Sequence, residues 1–165
     1  MVLFWEKGYD ETSIGDLTAA MGIAAPSLYA AFGDKRALFE EAVELYERDP
    51  GAPVKAGEGE PTARGAVQRI LERAAGEYTA PGRPRGCLII SEPLLDERRA
   101  ASREAIRARL QAGSDVGEFP AGTDVDALAA YVSAVIAGMS SRARDGASRE
   151  DLAAIAAIAM RAWPE

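Results

Sequence analysis

The sequence predicts an all-α protein, and three observations carry that reading. Apolar residues recur at three- and four-residue spacing along most of the 165-residue chain. Runs that alternate β-branched and polar residues, the mark of half-buried strands, are almost absent. Serine followed three residues later by an acid, the pattern that caps a helix start, opens two of the periodic segments, at Ser13/Asp16 and Ser148/Asp151.

The bulk numbers narrow the field. The length suits one well-cored domain, or a small module packed on a larger one. With 48% hydrophobic and 27% charged residues, the composition is that of a globular protein. No apolar run approaches the roughly 18 residues that span a bilayer, and the start has no basic flank with an apolar signal core, so a cytoplasmic location and no membrane partner are expected. There is no histidine and only one cysteine, Cys87, which rules out His-based metal sites, Ser-His-Asp triads, Cys-His pairs and internal disulfides. No catalytic, metal or cofactor site is expected, and Cys87 reads as a small buried hydrophobe in the run Cys87-Leu88-Ile89-Ile90. A redox role would need an exposed thiolate with basic neighbours, for which Arg83 and Arg85 are close in sequence.

The first clear helix opens on the Ser13/Asp16 capping pair, with Ile14, Leu17 and Met21 on one face, and Gly22 ends it. Three residues on, Pro26 fits a first helical position, and Leu28 and Phe32 follow at helical spacing. After Gly33, Asp34 caps a third helix with a wide apolar stripe of Leu38, Phe39, Ala42, Val43, Leu45 and Tyr46. Residues 49–62 are dense in proline and glycine and have no periodicity, so they read as a linker between domains. Beyond it, Ala66, Val67, Ile70, Leu71, Ala74 and Tyr78 mark a long helix that stops before Pro81-Gly82. The stretch from Cys87 to Leu95 is short and apolar and could be strand or helix. A charged helix follows from Arg98 to Ala112, with Ala105, Ile106 and Leu110 as its apolar side. Of two final helices, one carries Val125, Leu128, Ala129, Val132, Val135, Ile136 and Met139, and the other carries Leu152, Ile155, Ile158 and Ala162.

A capped helix, a turn through Gly22 and a short second helix from Pro26 form the pattern of a helix-turn-helix, whose second helix enters the DNA major groove. The residues are more specific than the pattern. Phe4-Trp5-Glu6-Lys7-Gly8-Tyr9-Asp10-Glu11-Thr12-Ser13, Leu17-Thr18-Ala19-Ala20-Met21-Gly22-Ile23 and Pro26-Ser27-Leu28-Tyr29-Ala30-Ala31-Phe32-Gly33-Asp34-Lys35 resemble the DNA-binding signature of TetR-family transcriptional regulators. The likeness is close over residues 1–48 and looser beyond, where Gly86-Cys87-Leu88-Ile89-Ile90 and the run from Gly138 to Ser148 are similar to segments of such regulators.

That resemblance implies a helix-turn-helix three-helix module at residues 1–48 (the motif proper at 13–32), a linker at 49–62, and an effector-binding and dimerisation domain at 63–165. It implies a repressor released from a double-stranded DNA operator by an unidentified small-molecule effector. By position, Thr12 and Ser13 would meet a phosphate, Ala25, Pro26 and Ser27 would face base edges, and Tyr29 and Lys35 would meet the backbone. Effector contacts are expected among Tyr78, Cys87, Ile90, Leu94, Ile106 and Leu110. A homodimer is expected through Ala134, Ala137, Gly138, Ser141, Ala154, Ile155 and Ile158, whose mostly small side chains let helices approach closely.

Charge and the chain start run against the pattern. The net charge is −7, and residues 1–49 hold four basic against ten acidic side chains, although residues 12–36 balance at two and two. Family members carry a basic arm and most of a first helix ahead of the position of Leu3, so residues 1–48 are expected to be the less stable part. The alternative these facts favour is a helical interaction protein that keeps the fold without binding DNA.

Overall fold

The computed structural model describes residues 1–49 and 53–164; Pro50, Gly51 and Ala52 of the expected linker, and Glu165, lie outside the described residues. Every regular element among the described residues is helical. In order they are α1 (Val2–Lys7), α2 (Ile14–Met21), α3 (Ala25–Phe32), α4 (Lys35–Arg48), α5 (Ala63–Glu77), α6 (Leu88–Ser91), α7 (Asp96–Asp115), α8 (Val125–Arg144) and α9 (Arg149–Arg161).

Local chemistry sets most helix starts. Ser13 and Asp16 exchange hydrogen bonds as a complete capping box, as do Ser148 and Asp151 at α9. Asp34, Thr62 and Asp124 each accept an amide of the first turn of α4, α5 and α8. Pro26 occupies the second position of α3 and not the first, because Ala24 is the cap. The ambiguous stretch from Cys87 to Leu95 resolves into the single helical turn α6 and a 3-10 turn at Pro93–Leu95. Part of the presumed linker also has structure: Pro53–Gly57 forms a 3-10 turn that lies on α5, with Pro53 and Gly57 buried.

One hydrophobic cluster runs through the molecule, from Phe4 and Trp5 on α1 and Phe39, Val43 and Tyr46 on α4 to Leu152 on α9 and Trp163 beyond it. Helix α5 sits at its centre and packs against α7, α8, α9 and the Pro53–Gly57 turn. Phe4 and Trp5 are almost fully buried, so the six-residue α1 plants two aromatic side chains against α4. The Phe4 ring meets Phe39 edge-on at 5.1 Å and Trp5 meets Tyr46 at 5.0 Å. Five positions read as apolar-face residues instead face solvent: Met21, Leu45, Ala105, Ile158 and Ala162. Leu45, Ala105 and Ile158 lie at the edge of their helix's stripe, where a 3.6-residue repeat carries the side chain past the packing surface, and Met21 and Ala162 stand at helix C-termini.

The Gly86-Cys87 segment is sewn onto α8. The Cys87 amide donates to Ser140 Oγ at 2.9 Å, and Arg85 donates to the carbonyls of Ala143 and Ala147. Gly86 has φ 80°, and a Cβ there would lie 2.9 Å from the Ser140 carbonyl oxygen. Both the backbone angle and the close approach therefore call for glycine.

Candidate nucleic-acid interface

Helix α2 ends in a double carbonyl cap. Gly22 takes the left-handed conformation (φ 66°, ψ 30°), its amide donates to Ala19, and the Ile23 amide reaches back to Thr18 at 3.1 Å. This turn launches α3 across α2. Leu28 is wholly buried beneath α3, Ala25 and Phe32 are half-buried, and Pro26, Ser27, Tyr29, Ala30 and Ala31 face solvent. The exposed face of α3 thus offers a serine hydroxyl, a phenol and small apolar groups, with no charged side chain in the helix.

Charge lies at the margins of α3. Lys35 opens α4, and its ammonium sits 4.2 Å from the centre of the Tyr9 ring. Arg36 pairs with Glu40 at 2.7 Å, and Lys7 pairs with Asp16 at 2.9 Å. The Lys7 ammonium, with the hydroxyl and amide of Ser13, holds the Asp16 carboxyl well below the usual carboxylate range.

The seven residues expected at the DNA are not equally placed. Ser27 and Tyr29 are exposed together on α3, and Lys35 flanks them. Thr12 is fully buried, and its hydroxyl donates to the Gly8 carbonyl at 2.6 Å and to Leu3 at 3.4 Å, so it secures α1 instead of facing outward. Ser13 is exposed, with its hydroxyl engaged in the capping box. Tyr9, quoted in the signature without a role, proves to be the support of Lys35.

The expected effector residues separate as well. Tyr46 donates to Cys87 Sγ at 3.3 Å, and the buried Tyr78 phenol neighbours the same thiol. Burial, and next the adjacent thiol, push both phenols well above their ordinary range, so they stay protonated donors at neutral pH. Beside them is a cavity of about 10 Å³ lined by Trp5, Tyr46, Pro53, Tyr78 and Arg83 among others, the space of roughly one water molecule. The buried indole N–H of Trp5 has no acceptor among the described protein groups. Arg83 lies over the Trp5 ring at 5.0 Å and pairs with Glu77 and Asp49. Ile90 and Leu94 do not line this cavity, and Leu94 is exposed; Ile106 and Leu110 are core residues of α7. A larger, open cleft of about 270 Å³ lies between α1 and the segment Ser91–Pro93. Trp5 and Tyr46 line the cavity beside Tyr78, although in the sequence they are indistinguishable from ordinary core aromatics.

On α8 and α9, Ala134, Gly138, Ser141, Ala154 and Ile158 are exposed, and Ala137 and Ile155 are half-buried. Ile158 keeps 61% of its surface in solvent and Tyr131, one turn before Ala134, keeps 39%. Together they form a mostly apolar strip with no cover within the chain.

Comparison with known proteins gives this geometry its context. The family described as bacterial regulatory proteins, tetR family, matches residues 1–42. The HTH-type transcriptional repressor ComR of Escherichia coli (strain K12) is 34% identical, over all of this chain and 85% of its own length. A second repressor of that organism, BdcR, is 31% identical over 96% of this chain and 82% of its own length. A cysteine mutant of the TetR family transcriptional regulator CifR, solved in complex with 26-bp double-strand operator DNA, is 35% identical, covers 99% of this chain and 92% of its own, and superposes with a TM-score of 0.92. Likeness of this depth, running the length of the chain and not only through its helix-turn-helix, means that the protein belongs to the TetR family of transcriptional regulators.

Proposed function

We propose that this protein is a transcriptional repressor that binds an operator as a homodimer through α3 and is released by a small-molecule effector. The observation that carries the reading is the solvent-facing Ser27–Tyr29 surface of α3, raised by the Gly22 turn, in a chain that follows the course of a relative described in complex with operator DNA. A regulator rather than an enzyme fits relatives that are named as repressors. Work on DNA places it in the cytoplasm.

In this reading Ser27 exchanges hydrogen bonds with a base edge, while Ala25 and Pro26 give apolar contact, as to a thymine methyl. Tyr29 and Lys35 meet phosphates, as does the exposed start of α2 at Ser13. An α3 free of charged side chains limits direct readout, so DNA shape carries part of the specificity. The uncovered strip on α8 and α9 meets its copy in a second subunit. The effector site grows from the Tyr46, Tyr78 and Cys87 cluster and the cavity beside it, next to the Trp5 that anchors α1. Ligand there shifts the balance between arrangements of the two recognition helices.

Titration of a labelled random-sequence duplex in low salt tests the DNA reading. Binding should be measurable and should weaken steeply as salt rises, since phosphate contacts release counterions. Absence of binding at low salt would favour the interaction-protein alternative, to which the net charge of −7 lends weight.

A further inference from the structure

The joint between α1–α3 and the effector domain is sparse in polar contacts. Among the described residues, two hydrogen bonds cross it: Arg144 to the Trp5 carbonyl at 3.4 Å, and the Tyr9 amide to Glu92 Oε2 at 2.8 Å. The second is the shorter, and it ends on a buried acid, with Glu92 only 4% exposed. The other carboxylate oxygen of Glu92 accepts the Leu94 amide at 3.2 Å, which fixes the side chain over its own turn. An acid held so deeply is costly unless its acceptors are used, and here both are.

Each side of this contact is itself held. Behind Glu92, Arg99 of α7 donates to the carbonyls of Ile89, Glu92 and Pro93, and the Cys87 amide ties the same segment to α8. On the far side, Gly8 turns the chain at φ 84°, and a Cβ there would come within 3.4 Å of Glu92 Oε2. The buried Thr12 hydroxyl holds the Gly8 carbonyl from within the module. The Tyr9 ring then packs edge-on against Phe39 at 5.0 Å and seats Lys35, two residues after Gly33 ends α3.

We propose that Glu92 is the positioning residue that sets the recognition helix relative to the effector domain: its carboxylate, carried on a segment whose backbone carbonyls Arg99 of α7 holds, clamps the Gly8–Tyr9 turn and, through the Tyr9 ring, the α3–α4 junction. A shift of the Ile89–Leu95 segment reaches α3 by this route. The inference rests on the DNA-binding reading for its consequence, while the clamp itself is read without DNA.

Glu92→Ala and Glu92→Gln in the full chain test it, by residue-resolved amide exchange and by affinity for a labelled random-sequence duplex. Glutamine keeps a carbonyl oxygen for the Tyr9 amide and alanine keeps none. Glu92→Ala should speed exchange at Tyr9 and at residues 35–38 by about tenfold or more, leave α8 and α9 unchanged, and weaken duplex binding several-fold. Glu92→Gln, whose one carbonyl oxygen serves the Tyr9 amide but whose NH2 then faces the Leu94 amide, should fall between the wild type and Glu92→Ala in both. Unchanged exchange at Tyr9 in Glu92→Ala would overturn the clamp, as would equal loosening of the whole chain by both variants. Wild-type protein that fails to bind the duplex, with the exchange pattern as expected, would sink the DNA reading alone.

Discussion

Asp16 does two things at the front of α2: it closes the capping box with Ser13, and it receives the Lys7 ammonium from the end of α1. Both favour the ionised form, so its folded-state pKa lies below the value in the unfolded chain. The stabilisation is therefore complete above about pH 4, the unfolded value, and is lost as pH falls through the folded one. Asp151 shares the box, through the backbone and hydroxyl of Ser148, and lacks the lysine contact. Carboxyl-carbon NMR should find both titrating below a free aspartate, and Lys7→Ala should raise Asp16 and leave Asp151 in place. A parallel shift of the two would contradict the assignment. The capping boxes were legible because their chemistry is local, four residues in a row. At the DNA surface, Tyr29→Phe and Lys35→Ala should weaken binding equally across sequences, with Lys35→Ala lowering the salt slope by about one, whereas Ser27→Ala should alter sequence preference. Equal loss of preference in all three would contradict the division of roles. Thr12 was legible by residue type and not by direction: nothing in a sequence tells whether a hydroxyl before a helix points to solvent or back to the carbonyls of Gly8 and Leu3.

Among elements, α8 carries two glycine-dependent features of opposite kind. Gly86 lies against its Ser140 carbonyl with positive φ, so Gly86→Ala should cost roughly 2–4 kcal/mol in urea unfolding, from backbone strain together with overpacking. A near-neutral change would show that this contact is loose. Gly138 has no neighbour within 4 Å of where its Cβ would stand. Within one subunit, a larger residue there should be tolerated, and it should gain helix propensity. In a dimer packed on the Ala134–Gly138–Ser141 face, Gly138→Leu should keep its helix content while light scattering shows a fall toward monomer. A dimer of unchanged strength would move the interface elsewhere. The helices themselves were readable from periodicity, because α2, α4, α5, α8 and α9 each bury one face. The Cys87–Leu95 stretch was not, since a four-residue turn of helix and a short strand look alike in a run as short and mostly apolar as Cys87–Ile90. The turn at Pro53–Gly57 was hidden for a similar reason: proline and glycine mark a break in periodicity, and only the tertiary contact with α5 shows that the segment lies on the core.

For the molecule as a whole, one core joins the helix-turn-helix to the effector domain, so α1–α4 and α5–α9 are coupled by packing and not merely by a linker. Trp5 belongs both to that joint and to the lining of the small cavity near Cys87, so the proposed effector site and the helix-turn-helix share a residue. Fold class and the helix-turn-helix could be read from the sequence because that motif is compact in sequence. The proposed effector residues are less legible, since Tyr46 meets Tyr78 and Cys87 from dozens of residues away in the chain, and Ile106 and Leu110 look the same whether they line a pocket or fill a core. The central claim is that this chain reads DNA as a twofold dimer through α3. Selection from a pool of random duplexes tests it most directly. The account predicts enrichment of an inverted repeat, because two identical recognition helices related by a twofold axis require half-sites in opposite orientation. A selected pool indistinguishable from the starting one, after rounds in which the protein stays folded and dimeric, would contradict it.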